Sequence, residues 1–289
     1  MGSRGMRAVA IGIAGVMASV VLTGCGSDSR PTAKADEVPP SAKPGAGARE
    51  QGTMAVRAAY DRTAEARTAR MTIRTKVTAQ DEAIAANGDG AVDLVKGDSV
   101  MTLTANGKSI EQRVVDQILY QKVPGGKAPG GKPWIRIDLK KAAAQQGVNS
   151  KQIGDPAQSA AFAKAITDKN VTKVGTTTVG GVNTTQYEVT VDIARLPGGA
   201  ALSKQLGPTL PMQVWLDDQG RIRRQQFDMT FKAQAPTGRP GNGSSPQQAK
   251  ISTSIEFSDF GTKVDAAAPP AQQVADMTGK AVRDSRRQS

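Results

Sequence analysis

Apolar residues recur in three rhythms along this chain. Residues 8–22 form a nearly unbroken apolar run, residues 49–68 set Met54, Ala58, Ala59 and Ala66 among good helix formers, and from Met71 onward apolar and polar positions alternate. A helical period that gives way to alternation predicts one helix ending near Thr68, followed by an antiparallel meander. Strands are expected at about 69–80, 89–96, 98–106, 109–115, 117–122, 133–138, 170–179, 182–192, 211–217, 221–233 and 249–260.

The punctuation between these runs is chemically specific. Asn87-Gly88, Asn106-Gly107 and Gly180-Gly181 supply the positive φ angles of tight hairpins, and Asp217-Asp218-Gln219-Gly220 suits a slightly longer turn. Tyr187, Val189 and Val191 fall on one side of their strand, as do Met212, Val214 and Leu216, then Phe227, Met229 and Phe231, then Ile251, Ile255 and Phe257. Apolar rows backed by polar ones describe a sheet with one covered face. Two helical insertions are expected to cover it. The first, about 138–167, is alanine-rich near Lys140 and resumes after Asp155-Pro156 with Phe162 and Ile166. The second, about 193–206, carries Ile193, Leu196, Leu202 and Leu206 around Pro197-Gly198-Gly199. The fold class is α+β.

The N-terminal run belongs to a different part of the chain's life. Arg4 and Arg7, the apolar stretch from Ala8 to Leu22 and the small residues after it have the layout of an export signal over residues 1–24. Leu22-Thr23-Gly24-Cys25 resembles a bacterial lipobox, in which the cysteine thiol receives a diacylglycerol and the peptide is cut just before it. Cys25 is the only cysteine in the chain. It is therefore the expected lipidation site, labelled by palmitate, and it places the protein outside the plasma membrane on a lipid anchor. Residues 25–50 hold almost no large apolar side chain and read as a flexible tether. A single domain over 51–270 and a polar, basic tail over 271–289, with Lys280, Arg283, Arg286 and Arg287, complete the expected organisation.

Charge and composition narrow the chemistry. The chain carries +12, and removal of residues 1–24 takes away two basic side chains and no acidic one, leaving +10. Positive charge favours anionic partners. Export and 3% aromatic content point away from nucleic acid and toward anionic phospholipid or cell-wall polymer. The chain has no histidine and no cysteine beyond Cys25, which excludes Ser-His-Asp and Cys-His catalysis and zinc sites built on imidazole or thiolate. Carboxylate pairs remain open to acid–base work in principle, but no spacing favours them. No enzymatic activity, cofactor or metal is expected.

Gly126 to Lys132 fits the first seven positions of a P-loop, but Pro133 stands where Ser or Thr should hold magnesium, and strands flank it on both sides. Asp217 and Asp218 are expected at a hairpin tip, in water and pointing apart. Trp134 and Trp215 either line a cavity or cover core. The basic tail either lies against anionic lipid or is simply solvated.

Gly181-Val182, the run Tyr187 to Asp192, Leu210 to Asp217, Gly220-Arg221-Ile222, Phe257 to Gly261 and Pro269 resemble the C-terminal half of the LppX/LprG-type lipoproteins of actinobacteria, fold relatives of the carrier LolA. The likeness covers roughly residues 165–270. It implies a strongly curved sheet of about 10–11 strands, a half-barrel around helices, with a cavity that holds acyl chains. The implied role is binding or transfer of lipid or lipoglycan at the outer face of the plasma membrane. A subset of Met101, Leu103, Ile118, Tyr120, Ile135, Phe162, Tyr187, Val189, Val214, Phe227 and Met229 would line that cavity. The long Gly/Pro loops 124–133 and 235–247 and the basic end depart from the pattern. The alternative on the same fold is an envelope sensor or interaction module whose sheet binds a membrane-protein partner.

Overall fold

The computed structural model describes residues 46–79, 82–126, 128–145, 165–196, 207–233 and 247–286, with Gly199 and Ser203. Helix α1 (Ala46–Glu65) buries Thr53, Val56, Ala59 and Thr63, which recur every three or four residues. This stripe is not the expected one: Met54 is 57% exposed. The side chains on the buried stripe are small, so the helix lies close to the sheet. Its last turn is stitched to the sheet by Thr63, whose hydroxyl donates to the Ala59 carbonyl and accepts from the Ile222 amide at 2.8 Å.

Twelve strands follow: β1 (Thr68–Ala79), β2 (Glu82–Asp93), β3 (Ser99–Ala105), β4 (Lys108–Val115), β5 (Ile118–Lys122), β6 (Trp134–Asp138), β7 (Ile166–Val179), β8 (Val182–Asp192), β9 (Thr209–Asp217), β10 (Ile222–Ala233), β11 (Gln247–Ser258) and β12 (Val274–Asp276). They form one open, curved sheet in the order β12-β6-β5-β4-β3-β2-β1-β11-β10-β9-β8-β7. Neighbours are antiparallel except for β12, which runs parallel to β6. Two meanders, β1–β6 and β7–β11, meet where β1 pairs with β11. The main core lies between α1 and the β7–β10 half, around Val56, Ala59, Val171, Val189, Val214 and Ile222.

Several sequence expectations need correction. Asn87-Gly88 is not a turn: β2 runs through it, and the β1–β2 reversal falls at residues 80–81, outside the described residues. The glycines of β2 serve close packing instead. A Cβ on Gly88 would sit 2.7 Å from Leu103 Cδ2, and one on Gly90 would run into the Val100 carbonyl and lie 2.8 Å from Met101 Cα. Asn106-Gly107 and Gly180-Gly181 do turn with positive φ at both residues, and Asp116-Gln117, with φ of 51° and 63°, does the same without glycine.

The tail is also different from its expectation. Residues 271–286 form a 3-10 turn, β12 and helix α3 (Thr278–Arg286), and β12 extends the sheet past β6. Asp276 pairs with Arg136 and accepts from the Thr278 amide at 2.9 Å, while the Asp138 amide donates to the Thr278 hydroxyl at 3.0 Å. Three residues of strand are too few to show a period. Of the two helical insertions, the described parts are α2 (Leu139–Gln145), Ala165 and a 3-10 turn at Ile193–Arg195 with Gly199 and Ser203 beyond it. The segment holding Phe162, most of the second insertion, and everything before Ala46, including Cys25, lie outside the described residues. The helix packed on the apolar face among the described residues is α1, over β7, β9 and β10.

Candidate functional site

Residues directly opposite one another in a sheet share a face, so the register traces the apolar surface strand by strand. One row runs Tyr187, Val214, Gln225, Ile255, Ile73, Gly88, Leu103, Ile110 across β8, β9, β10, β11, β1, β2, β3 and β4. A second runs Val189, Met212, Phe227, Thr253, Thr75, Ala86, Ala105. Nearer one end lie Met229, Ile251, Val77 and Ile84. Through Gln112 and Gln121 the face continues to Ile135 on β6.

Helix α1 fills one half of this face. Val214 is fully buried and Val189 is 2% exposed beneath it. The other half, from β11 to β4, keeps Ile255, Ile73, Leu103 and Ile110 only partly buried, and Ile84 is 43% exposed. The result is a trough with an aliphatic floor. Its polar exceptions include the Thr75 and Thr253 hydroxyls, 3.3 Å apart, and two amides: Gln225 donates to the Tyr60 hydroxyl at 3.2 Å, and the Gln112 Oε1 is buried without a hydrogen-bond partner among the described residues. Burial pushes the Tyr60 phenol well above its ordinary range, with the Gln225 bond opposing, and burial also raises Tyr187. Both rings stay neutral and add apolar surface to the trough wall.

Of the residues expected to line a cavity, Met101, Leu103, Ile135, Tyr187, Val189, Val214, Phe227 and Met229 share the trough face. Val189 and Val214 belong to the packed core under α1. Ile118 and Tyr120 point the other way, because on β5 it is Leu119 and Gln121 that face inward. Tyr120 stands opposite Arg113, whose Nη1 donates at 2.9 Å to the carbonyl of Ala267 in the segment that crosses the outer face to β12. The outer face of the sheet is covered there, so apolarity does not mark the inside. Phe162 lies outside the described residues.

Ile73, Ile84, Ile110 and Ile255 are floor residues that were not among those expected. Met71, Ile73 and Val77 alternate cleanly with Thr72, Arg74 and Lys76, which was the available signal. Trp134 and Trp215 both face outward, away from the trough, and are buried under cationic side chains: the Arg113 guanidinium lies 5.0 Å from the Trp134 ring and that of Arg224 5.3 Å from Trp215. Asp217 is not in water. Its side chain is 3% exposed, accepts from the Gln219 and Arg221 amides at 3.1 and 2.9 Å, and is held by the Arg221 guanidinium at 2.8 Å. Asp218 is exposed.

Two shallow depressions lie elsewhere. One, about 480 Å³, sits between α2 and α3 beside Lys141, Asp276 and Val282. The other, about 290 Å³, opens on the outer face over β7–β10 beside Thr172, Glu188, Gln213 and Asp228. Among the described residues no three His, Cys, Asp or Glu side chains converge as metal ligands, and no helix is long and apolar enough to cross a membrane.

Fold and site together define a class: an open, curved antiparallel sheet with an apolar trough half filled by one helix. No family model matches the sequence. In fold the chain is similar to the lipoprotein LppX of Mycobacterium tuberculosis (TM-score 0.49, 15% identity, covering 74% of this chain and 99% of that one). It is also similar to LprF of Mycobacterium bovis (TM-score 0.43, 14% identity, 77% and 98%). In sequence it is 26% identical over 199 residues to an uncharacterized 31.2 kDa protein of the rplA-rplJ intergenic region in Streptomyces griseus, a match over 62% of this chain. The chain spans 60% of the length of that curated relative.

Proposed function

We propose that this chain is an exported, non-enzymatic lipoprotein, anchored through Cys25, whose trough binds the acyl chains of a lipid or lipoglycan and carries them at the outer face of the plasma membrane. The observation that supports this most is the row Ile255, Ile73, Leu103, Ile110, an aliphatic floor that continues the core face beyond α1 and stays only partly buried. Monomeric soluble proteins rarely leave such a surface open without a ligand or partner for it. From β11 to β4 the floor crosses four strand spacings, about 19 Å at the usual separation. Desolvation of an acyl chain on it contributes about 0.8 kcal/mol per methylene buried. Amides such as Gln112 supply few directed contacts, so selectivity for headgroup or chain length is loose.

The test is native mass spectrometry of the chain from Gly26 onward, expressed in an actinobacterial host, with organic extraction of what accompanies it. A stoichiometric lipid is expected. An empty protein that also ignores fluorescent acyl probes refutes the reading and favours a sheet that binds a membrane-protein partner. For the anchor, metabolic palmitate labelling is expected in the native protein and lost in Cys25→Ser.

A further inference from the structure

The two ends of the trough differ in charge. Strand direction puts the far ends of β1, β3 and β5 and the starts of β2, β4 and β11 at one end of the sheet. Here Lys76, Lys108, Lys122 and Lys250 lie along a contiguous arc of strands; the acidic residues among them, of the described residues, are Glu82 and Glu111, and Glu111 pairs with Lys122 at 3.5 Å. Lys76, Lys108 and Lys122 are exposed. At the opposite end, Arg67, Arg70 and Lys96 are offset by Asp93, Asp98, Asp116 and Asp259. The lysine end also carries the apolar cluster of Val77, Met229 and Ile251, separate from the main core, and the exposed Ile84. At the other end lies the turn from α1 into β1, tied to the end of β2 by the Leu94 amide, which donates to the Arg67 carbonyl at 2.7 Å.

Lys108 shares the trough face, and Lys76, Lys122 and Lys250 lie on the outer face at the same end, so an apolar interior edged with positive charge matches the surface of an anionic bilayer. Aliphatic lysine stems reach over apolar surface while the ammonium groups sit at headgroup level. The anchor does not decide the orientation. Cys25 and Ala46 are separated by 20 residues, which reach at most about 70 Å when extended. Charge therefore selects the face.

We propose that the end of the sheet bearing Lys76, Lys108, Lys122 and Lys250 docks on an anionic phospholipid bilayer and turns the mouth of the trough toward the acyl region. The proposal rests on the lipid-binding reading only in naming that end the mouth. The test uses the Cys25→Ser protein, without an acyl anchor, in co-sedimentation at low ionic strength. Vesicles of phosphatidylcholine with phosphatidylglycerol are compared with vesicles of phosphatidylcholine alone.

Binding is expected to the mixed vesicles only. Lys76→Gln with Lys108→Gln weakens it about 25-fold, from about fivefold per lysine near an anionic surface. Arg70→Gln with Lys96→Gln, the same charge change at the opposite end, leaves it within about twofold on the same reasoning. Equal losses from both pairs, equal binding to both vesicles, or binding to soluble polyphosphate without binding to vesicles overturns the proposal. All four side chains are exposed, so unchanged circular dichroism is the control for folding. Acyl-probe affinity measured on the same variants separates failure of docking from failure of the lipid-binding reading.

Discussion

Alanine at Ile84 and alanine at Val214 give opposite results if the two halves of the apolar face have different roles. Ile84 is 43% exposed at the open end of the trough. Fully burying such a side chain contributes about 2.5 kcal/mol, so covering its open part with an acyl chain contributes about 1 kcal/mol. Ile84→Ala should therefore weaken acyl-probe binding about fivefold, while the part of the side chain already covered contributes no more than about 1.5 kcal/mol to folding. Val214 is fully buried under α1. Removing its two methyl groups leaves a cavity and costs about 2 kcal/mol of stability, a fall of roughly 1 M in the urea midpoint, with probe affinity unchanged. Probe titration by fluorescence anisotropy and urea unfolding on both variants complete the cross. If Val214→Ala weakens the probe and Ile84→Ala does not, the acyl site lies under α1 and the open floor is not the binding surface.

Gly90→Ala should cost about 2–3 kcal/mol in urea unfolding because the new methyl meets backbone, whereas Gly88→Ala should cost about 1 kcal/mol or less because it meets the ends of the flexible Leu103 and Met101 side chains. Asp217→Ala should lose about 3 kcal/mol by stranding two amides and the Arg221 guanidinium, and Asp217→Asn about half of that; equal losses would show that the charge alone matters. The Thr278 hydroxyl and amide, with Arg136, hold Asp276 at about 2 against an ordinary 3.8. A depressed carboxylate stabilises the folded state fully above its unfolded value. Protection of the β12 amides from hydrogen exchange should thus hold above pH 4 and fall as pH drops toward 2. In Asp276→Asn that protection should be low and flat across the same range.

Much of the sheet was legible because its strands obey a period of two, and β1 and β8–β11 do so with branched and aromatic side chains. β2 was not fully legible. Its sequence from Glu82 to Asp93 is alanine, glycine, asparagine and aspartate in the main, and only the neighbours on both sides make it a strand. Turn chemistry was reliable where glycine met a reversal, and misleading at Gly88, where the same residue serves close approach. The trough residues on β3, β8 and β10 could be named from alternation. Those on β5 could not, since the segment leading to β12 covers the outer face and leaves apolar residues on both sides of that strand. Asp217 looked like a solvated turn residue because its partner, the half-buried Arg221, is itself polar.

The pairing of β1 with β11 joins residues about 180 positions apart, Arg70 with Ser258 through Ala79 with Ala249, and it is the one ladder between the two meanders. Every other antiparallel pair links strands that are neighbours in sequence. The molecule is thus two locally assembled sheets joined along a seam that cannot form until β11 has been made, and pairings of that separation are slow to close. The seam runs beneath the edge of the open floor nearest the half covered by α1, where Ile73 faces Ile255. A molecule resting on those two side chains touches both halves, so occupancy of the trough and completion of the fold draw on the same contacts, and a bound ligand acts as a clasp on the finished sheet.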